Sequence, residues 1–276
     1  MDLPSVKGQS TQQINILLIN PNSTASMTKA CLVSIECTLP AHVSVYGYTC
    51  PKSGPSAIEG NVDASLSAAD CFRDLASLIE SVNFDAFLVA CFSAHPLIGM
   101  LREEYSQPTI GIMEAAVYAS RMCGDQLGVV TTSERSSMRH ARSIAELGLG
   151  THLVGCETGH VSVLELESSP RETVYASLAM AAQRLVDRGA DCICLGCAGM
   201  TELQEICRKR ISTEDNQVMV IDGVTIGVQF LIALVRVELR TAKSGVYRPA
   251  TLAASGVART GCSWKFLQKQ SNHLES

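Results

Sequence analysis

The sequence predicts an α/β protein of two pseudo-symmetric lobes, each a parallel sheet flanked by helices, with the working site in the cleft between them. Three observations lead there. Short β-rich runs alternate with helical patterns along the chain, as parallel strands joined by crossover helices require. The alternation runs through the same order twice. In both rounds the third strand ends on a cysteine, Cys91 and then Cys197.

In the first round INILLIN (14–20) is an apolar, β-branched strand closed by Asn20-Pro21-Asn22. Residues 23–39 have helical spacing, with Ser23 or Thr24 as the N-cap. VSVYGY (43–48) is the second strand. The loop 49–61, with two prolines and two glycines, is expected to order only against a ligand or a neighbouring segment. Residues 64–82 form a helix and DAFLVACF (85–92) the third strand. A helix over 95–105 carries Pro96 in its first turn. PTIGI (108–112) is a strand and 114–123 a helix. The second round runs QLGVVTTS (126–133), helix 137–148, strand HLVGCE (152–157), helix 170–189, strand DCICLGC (191–197), helix 200–210, strand VMVID (218–222) and helix 224–239. The predicted lobes are 14–120 with 224–249, and 121–223; residues 1–13 and 250–276 are terminal extensions. Sheets of this kind place their chemistry beyond the carboxyl ends of the strands.

Bulk properties narrow the function. A chain of 276 residues, 46% hydrophobic and 18% charged, is an ordinary well-cored globular protein. Net charge is −5 and no Lys/Arg cluster tracks a phosphate backbone, which argues against nucleic-acid binding. The N-terminus MDLPSVKGQSTQQ lacks an apolar signal core, and FLIALV (230–235) is far shorter than a membrane span. The expected location is the cytosol, with no membrane partner. The twelve cysteines lie scattered through apolar runs and are expected to be reduced, mostly buried small hydrophobes.

Two of them stand in matched places. INILLIN-PN answers QLGVV-TTS, DAFLVA-Cys91 answers DCICLG-Cys197, and PTIGI-M-EAA answers VMVID-G-VTI. Asn20 precedes Cys91 by 71 positions and Thr132 precedes Cys197 by 65. Each cysteine is expected to close a buried strand and open a helix, where unpaired N–H groups and the macrodipole lower a thiol pKa. Two facing lobes would then set the thiols on opposite sides of one cleft. A thiolate on one face of a carbon and a thiol on the other invert a stereocentre. Competing readings exist for this sulfur. Cys192-x-Cys194-x-x-Cys197 has no second ligand pair for zinc, so no metal is expected. Cys192 and Cys194 share one strand face and read as core, and Cys194-x-x-Cys197 lacks a redox motif's setting because Cys194 lies within the strand.

INPNST (19–24), ACFSAHPLIGMLRE (90–103), GIMEAA (111–116), GVVTTSE (128–134), GADCICLGCAGM (189–200), VIDGV (220–224) and LRTAKSGVYRP (239–249) together resemble the hydantoin/allantoin racemase branch of the aspartate/glutamate racemase superfamily, its fungal members most of all. The resemblance implies a two-lobed fold without cofactor, a homo-oligomer, and Cys91 and Cys197 as the acid–base pair. After the first cysteine this chain has Ser93-Ala94-His95-Pro96 where bacterial members often have Gly-Asp-Pro-Gly-like residues.

A substrate with an acidic C–H beside a carbonyl, such as a hydantoin or a ureide of the allantoin type, fits such a pair. The developing oxyanion needs placed donors. The candidates are the backbone N–H groups of Phe92, Ser93, Ala198 and Gly199, with the hydroxyls of Ser93, Thr131 and Thr132. Asn20, Asn22 and Ser23, at the end of the first strand, are candidate ring contacts, and His95 is a candidate substrate contact or helix-start residue. Glu114 reads as an orienting group or a helix-start carboxylate, and His140, His152 and His160 as surface or packing residues. Two other functions remain open: the same scaffold turned to decarboxylation, isomerisation or a secondary-metabolism cyclisation, and a non-catalytic ligand binder.

Overall fold

The computed structural model of the chain describes residues 4–6 and 10–248. The first half runs β1 (Ile14–Asn20), α1 (Ala25–Ile35), β2 (Val43–Thr49), α2 (Asn61–Ser81), β3 (Ala86–Val89), α3 (Pro96–Glu104), β4 (Thr109–Gly111) and α4 (Ile112–Cys123). The second runs β5 (Leu127–Thr131), α5 (Glu134–Glu146), β6 (Leu153–Thr158), α6 (Glu165–Ser168), α7 (Arg171–Asp187), β7 (Cys192–Leu195), α8 (Gln204–Ile211), β8 (Met219–Ile221) and α9 (Gly223–Arg236). The strands form two four-stranded parallel sheets, ordered β2-β1-β3-β4 and β6-β5-β7-β8. Counted from the first strand of each half, the two orders are identical. The repeat read from the cysteines is therefore a repeat of topology.

The period-2 pattern of the central strands explains the layering. Ile14, Ile16 and Leu18 of β1 and Leu88 of β3 face a core that also takes Val129 of β5 and Cys192 and Cys194 of β7. Leu17, Ile19, Phe87 and Val89 face the opposite way, against α2 and α3. Val130, Ile193 and Leu195 do the same against α7 and α8. One inner core thus joins the sheets, and an outer core covers each. Cys192 and Cys194 are inner-core residues; burial pushes the Cys192 thiol up to about 12 and the Cys194 thiol well above its usual range.

The joint between the sheets is built by exchange. Helix α4, which follows the first sheet, packs on β7 and β8, while α9, which follows the second, packs on β1, β3 and β4. The two helices also pack on each other, and their N-terminal ends meet closely. A Cβ on Gly223 would lie 2.4 Å from the Ile112 carbonyl oxygen, so only glycine admits this approach.

Local differences from the sequence reading have local causes. Helix α1 ends at Ile35 and continues only as a 3-10 turn to Thr38, because Pro40 holds Leu39 extended. The predicted helix over 200–210 begins as a 3-10 segment, Ala198–Leu203, before α8. Helix α6 is too short to carry a periodic signal. The extension 250–276 lies outside the described residues. Among the described residues no helix is long and apolar enough to cross a membrane.

Candidate active site

The parallel registers carry the matched cysteines to matched places. Ile19 pairs with Val89 and Val130 with Leu195. One residue further on, the Ala90 N–H donates to the Ile19 carbonyl and the Gly196 N–H to the Val130 carbonyl, both at 2.8 Å. Cys91 and Cys197 follow immediately. The structural partner of Asn20 is therefore Thr131, one residue earlier than the alignment by strand ends suggests.

Both cysteines line one cleft. Its walls come from the first sheet's loops (Asn22, Ala90, Cys91, Phe92 and Ser93), from α1 (Met27), from the loop before α2 (Ile58), and from the second half (Thr132, Ser136, Arg139, His140, Val163, Gly196, Cys197 and Ala198). Its volume is about 50 Å³, room for about one or two waters.

The turn after Cys91 is not a helix start. Ser93 N–H donates to the Cys91 carbonyl at 2.9 Å, and α3 opens only at Pro96. Cys91 thus has no helix dipole behind it. Burial pushes its thiol up, and the Ser93 hydroxyl, 3.2 Å from Sγ, and the Arg139 charge only moderate that rise. The expected lowering of this pKa is overturned for that reason. The Ser93 N–H, already engaged in the turn, is removed from the oxyanion donors. Cys197 does open a helical segment, the 3-10 turn at Ala198, whose carbonyl accepts the Cys31 thiol at 3.8 Å.

Of the residues singled out from sequence, Asn22, Cys91, Phe92, Ser93, Thr132, Cys197 and Ala198 are on the cleft wall. Asn22 accepts from Asn20 Nδ2 and from the Thr24 N–H, while among the described residues its own Nδ2 has only the Met27 sulfur at 3.4 Å. Five others stand elsewhere. Asn20 is buried and saturated: Nδ2 donates to Asn22, Thr24 and Thr28, and Oδ1 accepts from the Asn22 N–H. Thr131 answers it in the other half, its hydroxyl bonded to the Ser133 carbonyl and the Ser137 hydroxyl. Ser23 donates to the Gly54 carbonyl and, with Thr24, ties down the loop that carries Ile58. His95 caps α3: Nδ1 accepts from the Leu97 N–H and Nε2 meets the Ser67 hydroxyl, so both nitrogens are committed. Gly199 lines a separate cavity of about 370 Å³ with Lys29, Arg171 and Tyr175.

Glu114 caps α4 through the Gly111 N–H and pairs with Arg102, away from the cleft. His152 is buried against Ser120, and His160 is exposed. His140 is buried on the cleft wall, edge-on to Phe92 with ring centroids 5.1 Å apart. Burial holds His95 and His140 neutral, down to about 4, with Arg139 adding to both shifts. Sequence reasoning missed Met27, Ile58, Ser136, Arg139, Val163 and the cleft role of His140. Five of these six depend on which way α5 and two loops face across the joint, which no local pattern records.

A family model described as Asp/Glu/Hydantoin racemase matches residues 16–231. The chain belongs to that family. It is an isomerase of the racemase class. It is 33% identical to the hydantoin racemase of Rhizobium meliloti, over 88% of this chain and 98% of that one. It is 40% identical to the uncharacterized protein C1F7.10 of Schizosaccharomyces pombe, over 85% of this chain and 98% of that one. The structure of allantoin racemase from Pseudomonas fluorescens superposes with a TM-score of 0.76 at 28% identity, covering 86% of this chain and 97% of that one. A glutamate racemase of Bacillus anthracis, at 17% identity and a TM-score of 0.62, shares the fold.

Proposed function

We propose that the chain racemises cyclic ureides, 5-substituted hydantoins or allantoin, by proton transfer between Cys91 and Cys197. The observation that carries this reading is that two thiols at equivalent strand ends of two equivalent sheets line one cleft. The names of its hydantoin- and allantoin-racemising relatives support the substrate class.

A thiolate on one side removes the proton from C5. The electron pair moves onto the adjacent carbonyl oxygen. The thiol opposite delivers its proton to the other face, and the product leaves with inverted configuration. Solvent exchange at sulfur then restores the starting protonation. Cys91, with its raised pKa, is the partner that rests as the thiol. The N–H groups of Phe92 and Ala198, the Ser93 and Thr132 hydroxyls and the Asn22 carboxamide are the donors for the oxygen and the ring. At about 50 Å³ the cleft must widen before it can take a ring.

The test is to incubate single enantiomers of allantoin and of 5-substituted hydantoins with the protein in deuterated water. The expected result is loss of optical rotation with deuterium entering C5, well above the uncatalysed rate. No acceleration with any of these substrates contradicts the reading.

A further inference from the structure

Two neighbouring residues on the cleft wall have chemistry that the thiol pair leaves unused. Arg139 lines the cleft and is half-buried, and it makes no hydrogen bond or ion pair with another described residue. A guanidinium is always charged and presents five donors. Holding one half-buried and uncompensated is costly unless an anion or a strong acceptor visits it. It stands close enough to Cys91 and to His140 for its charge to act on both.

His140 is the complement. Its ring packs edge-on against Phe92, and the nearby Phe92 backbone partly offsets the lowering of its pKa by burial. Its Nδ1 is buried and has no partner among the described residues. In the tautomer that carries its proton on Nε2, Nδ1 is an acceptor facing the cleft wall. Burying such a nitrogen without a partner is costly. The ring edge bearing it approaches the strand end that leads into Cys197: Cε1 lies 3.4 Å from where a Cβ on Gly196 would be.

A strong donor beside a bare acceptor is complementary to one ligand edge: a carbonyl oxygen next to an N–H. We propose that Arg139 and His140 read the –CO–NH– edge of the substrate ring, with Arg139 donating to the carbonyl oxygen that becomes the enolate and His140 Nδ1 accepting the adjacent ring N–H. This rests on the proposed racemisation and names the part of the ring that the site selects. The Arg139 contact strengthens as negative charge collects on the oxygen, so it acts mainly in the transition state. The His140 contact is made equally before and during reaction, so it acts mainly in binding.

The experiment follows C5 deuterium exchange by the wild type, Arg139→Gln, Arg139→Ala, Arg139→Lys and His140→Phe, with a 5-substituted hydantoin and its N3-methyl derivative. Arg139→Gln is expected to lower kcat by about 10²–10³-fold with KM little changed. Added guanidinium ion at millimolar concentration should restore part of the Arg139→Ala activity, and Arg139→Lys should fall between. A merely structural arginine would show neither behaviour. The wild type should favour the parent ring over its N3-methyl derivative through KM, and His140→Phe should lose that preference while remaining folded by circular dichroism. If His140→Phe does not fold, His140→Asn, which keeps an acceptor, should retain the preference. Wild-type exchange with Arg139→Gln within threefold in kcat, or an unchanged N3-methyl preference in His140→Phe, overturns this assignment alone. No exchange by the wild type on either ring overturns the proposed function, and this assignment with it.

Discussion

The two cysteine loops occupy the same place in two copies of one topology, yet they are built differently. Ala90-Cys91-Phe92-Ser93 closes on itself through the Ser93 N–H, and its helix waits until Pro96. Gly196-Cys197-Ala198 runs straight into a helical segment. The first position before the cysteine carries a methyl group and the second cannot: a Cβ on Gly196 would lie 2.6 Å from the Val130 carbonyl oxygen. The repeated topology thus supplies the placement of two thiols, and the turns that follow give them different surroundings. In the proposed mechanism one sulfur holds a proton while the other does not, and the raised pKa of Cys91 favours the thiol on that side.

The largest effect expected from breaking the comparison is on rate. Cys91→Ser and Cys197→Ser should each lower racemisation by at least about 10²–10⁴-fold, since each removes one whole proton-transfer partner. Polarimetry on the purified variants measures this. A single variant that racemises near the wild-type rate would sink the two-thiol mechanism.

The next effect is on stability, and it comes from two buried histidines, one in each half but at different places in the repeat. His95 and His140 are neutral down to about 4, against an ordinary value of 6.5. Below pH 6.5 the unfolded chain takes up protons that the folded chain refuses until about pH 4. Stability present above pH 6.5 is therefore lost as pH falls through that window, by up to roughly 3 kcal/mol for each histidine. Urea unfolding at pH 7.5 and pH 5 should show the loss, and His140→Phe should show visibly less of it. An identical pH response in that variant would contradict the assignment of His140.

The smallest effects come from exchanging the residues before the cysteines. Gly196→Ala should destabilise by about 1–3 kcal/mol, because the new methyl group meets backbone that cannot yield. Ala90→Gly should cost only about 1 kcal/mol, from a lost buried methyl and added chain entropy. Denaturant midpoints rank the two, and equal effects would mean that the two strand ends are less different than their geometry indicates.

How much of this was legible beforehand follows from the range of each interaction. The central strands are buried on both faces, so their apolar runs stood out. The repeat showed because both cysteines end such runs. The pairing of Asn20 with Thr132 rather than Thr131 slipped by one because hydroxyl and amide residues cluster at both strand ends, and only the ladder hydrogen bonds fix the register. Asn20 and Thr131 looked like ligand donors; their polarity instead satisfies the turns that follow, through Thr28 and Ser137. Arg139 and His140 were hidden for another reason. Helix α5, ERSSMRHARSIAE, is so rich in polar residues that its cleft-facing members look like part of a solvated face. Their role exists only once the opposite lobe is in position.

The measurement that tests the central claim most directly is the fate of deuterium at early times. One enantiomer of a racemised hydantoin is incubated with the wild-type protein in deuterated water, and the two enantiomers are separated after a few per cent conversion. With Cys91 and Cys197 on opposite faces, the inverted product carries a solvent deuteron at C5. The remaining substrate carries almost none, because its own proton returns from the sulfur that took it. Equal deuterium in product and remaining substrate would mean that a single base serves both faces, and would contradict the account.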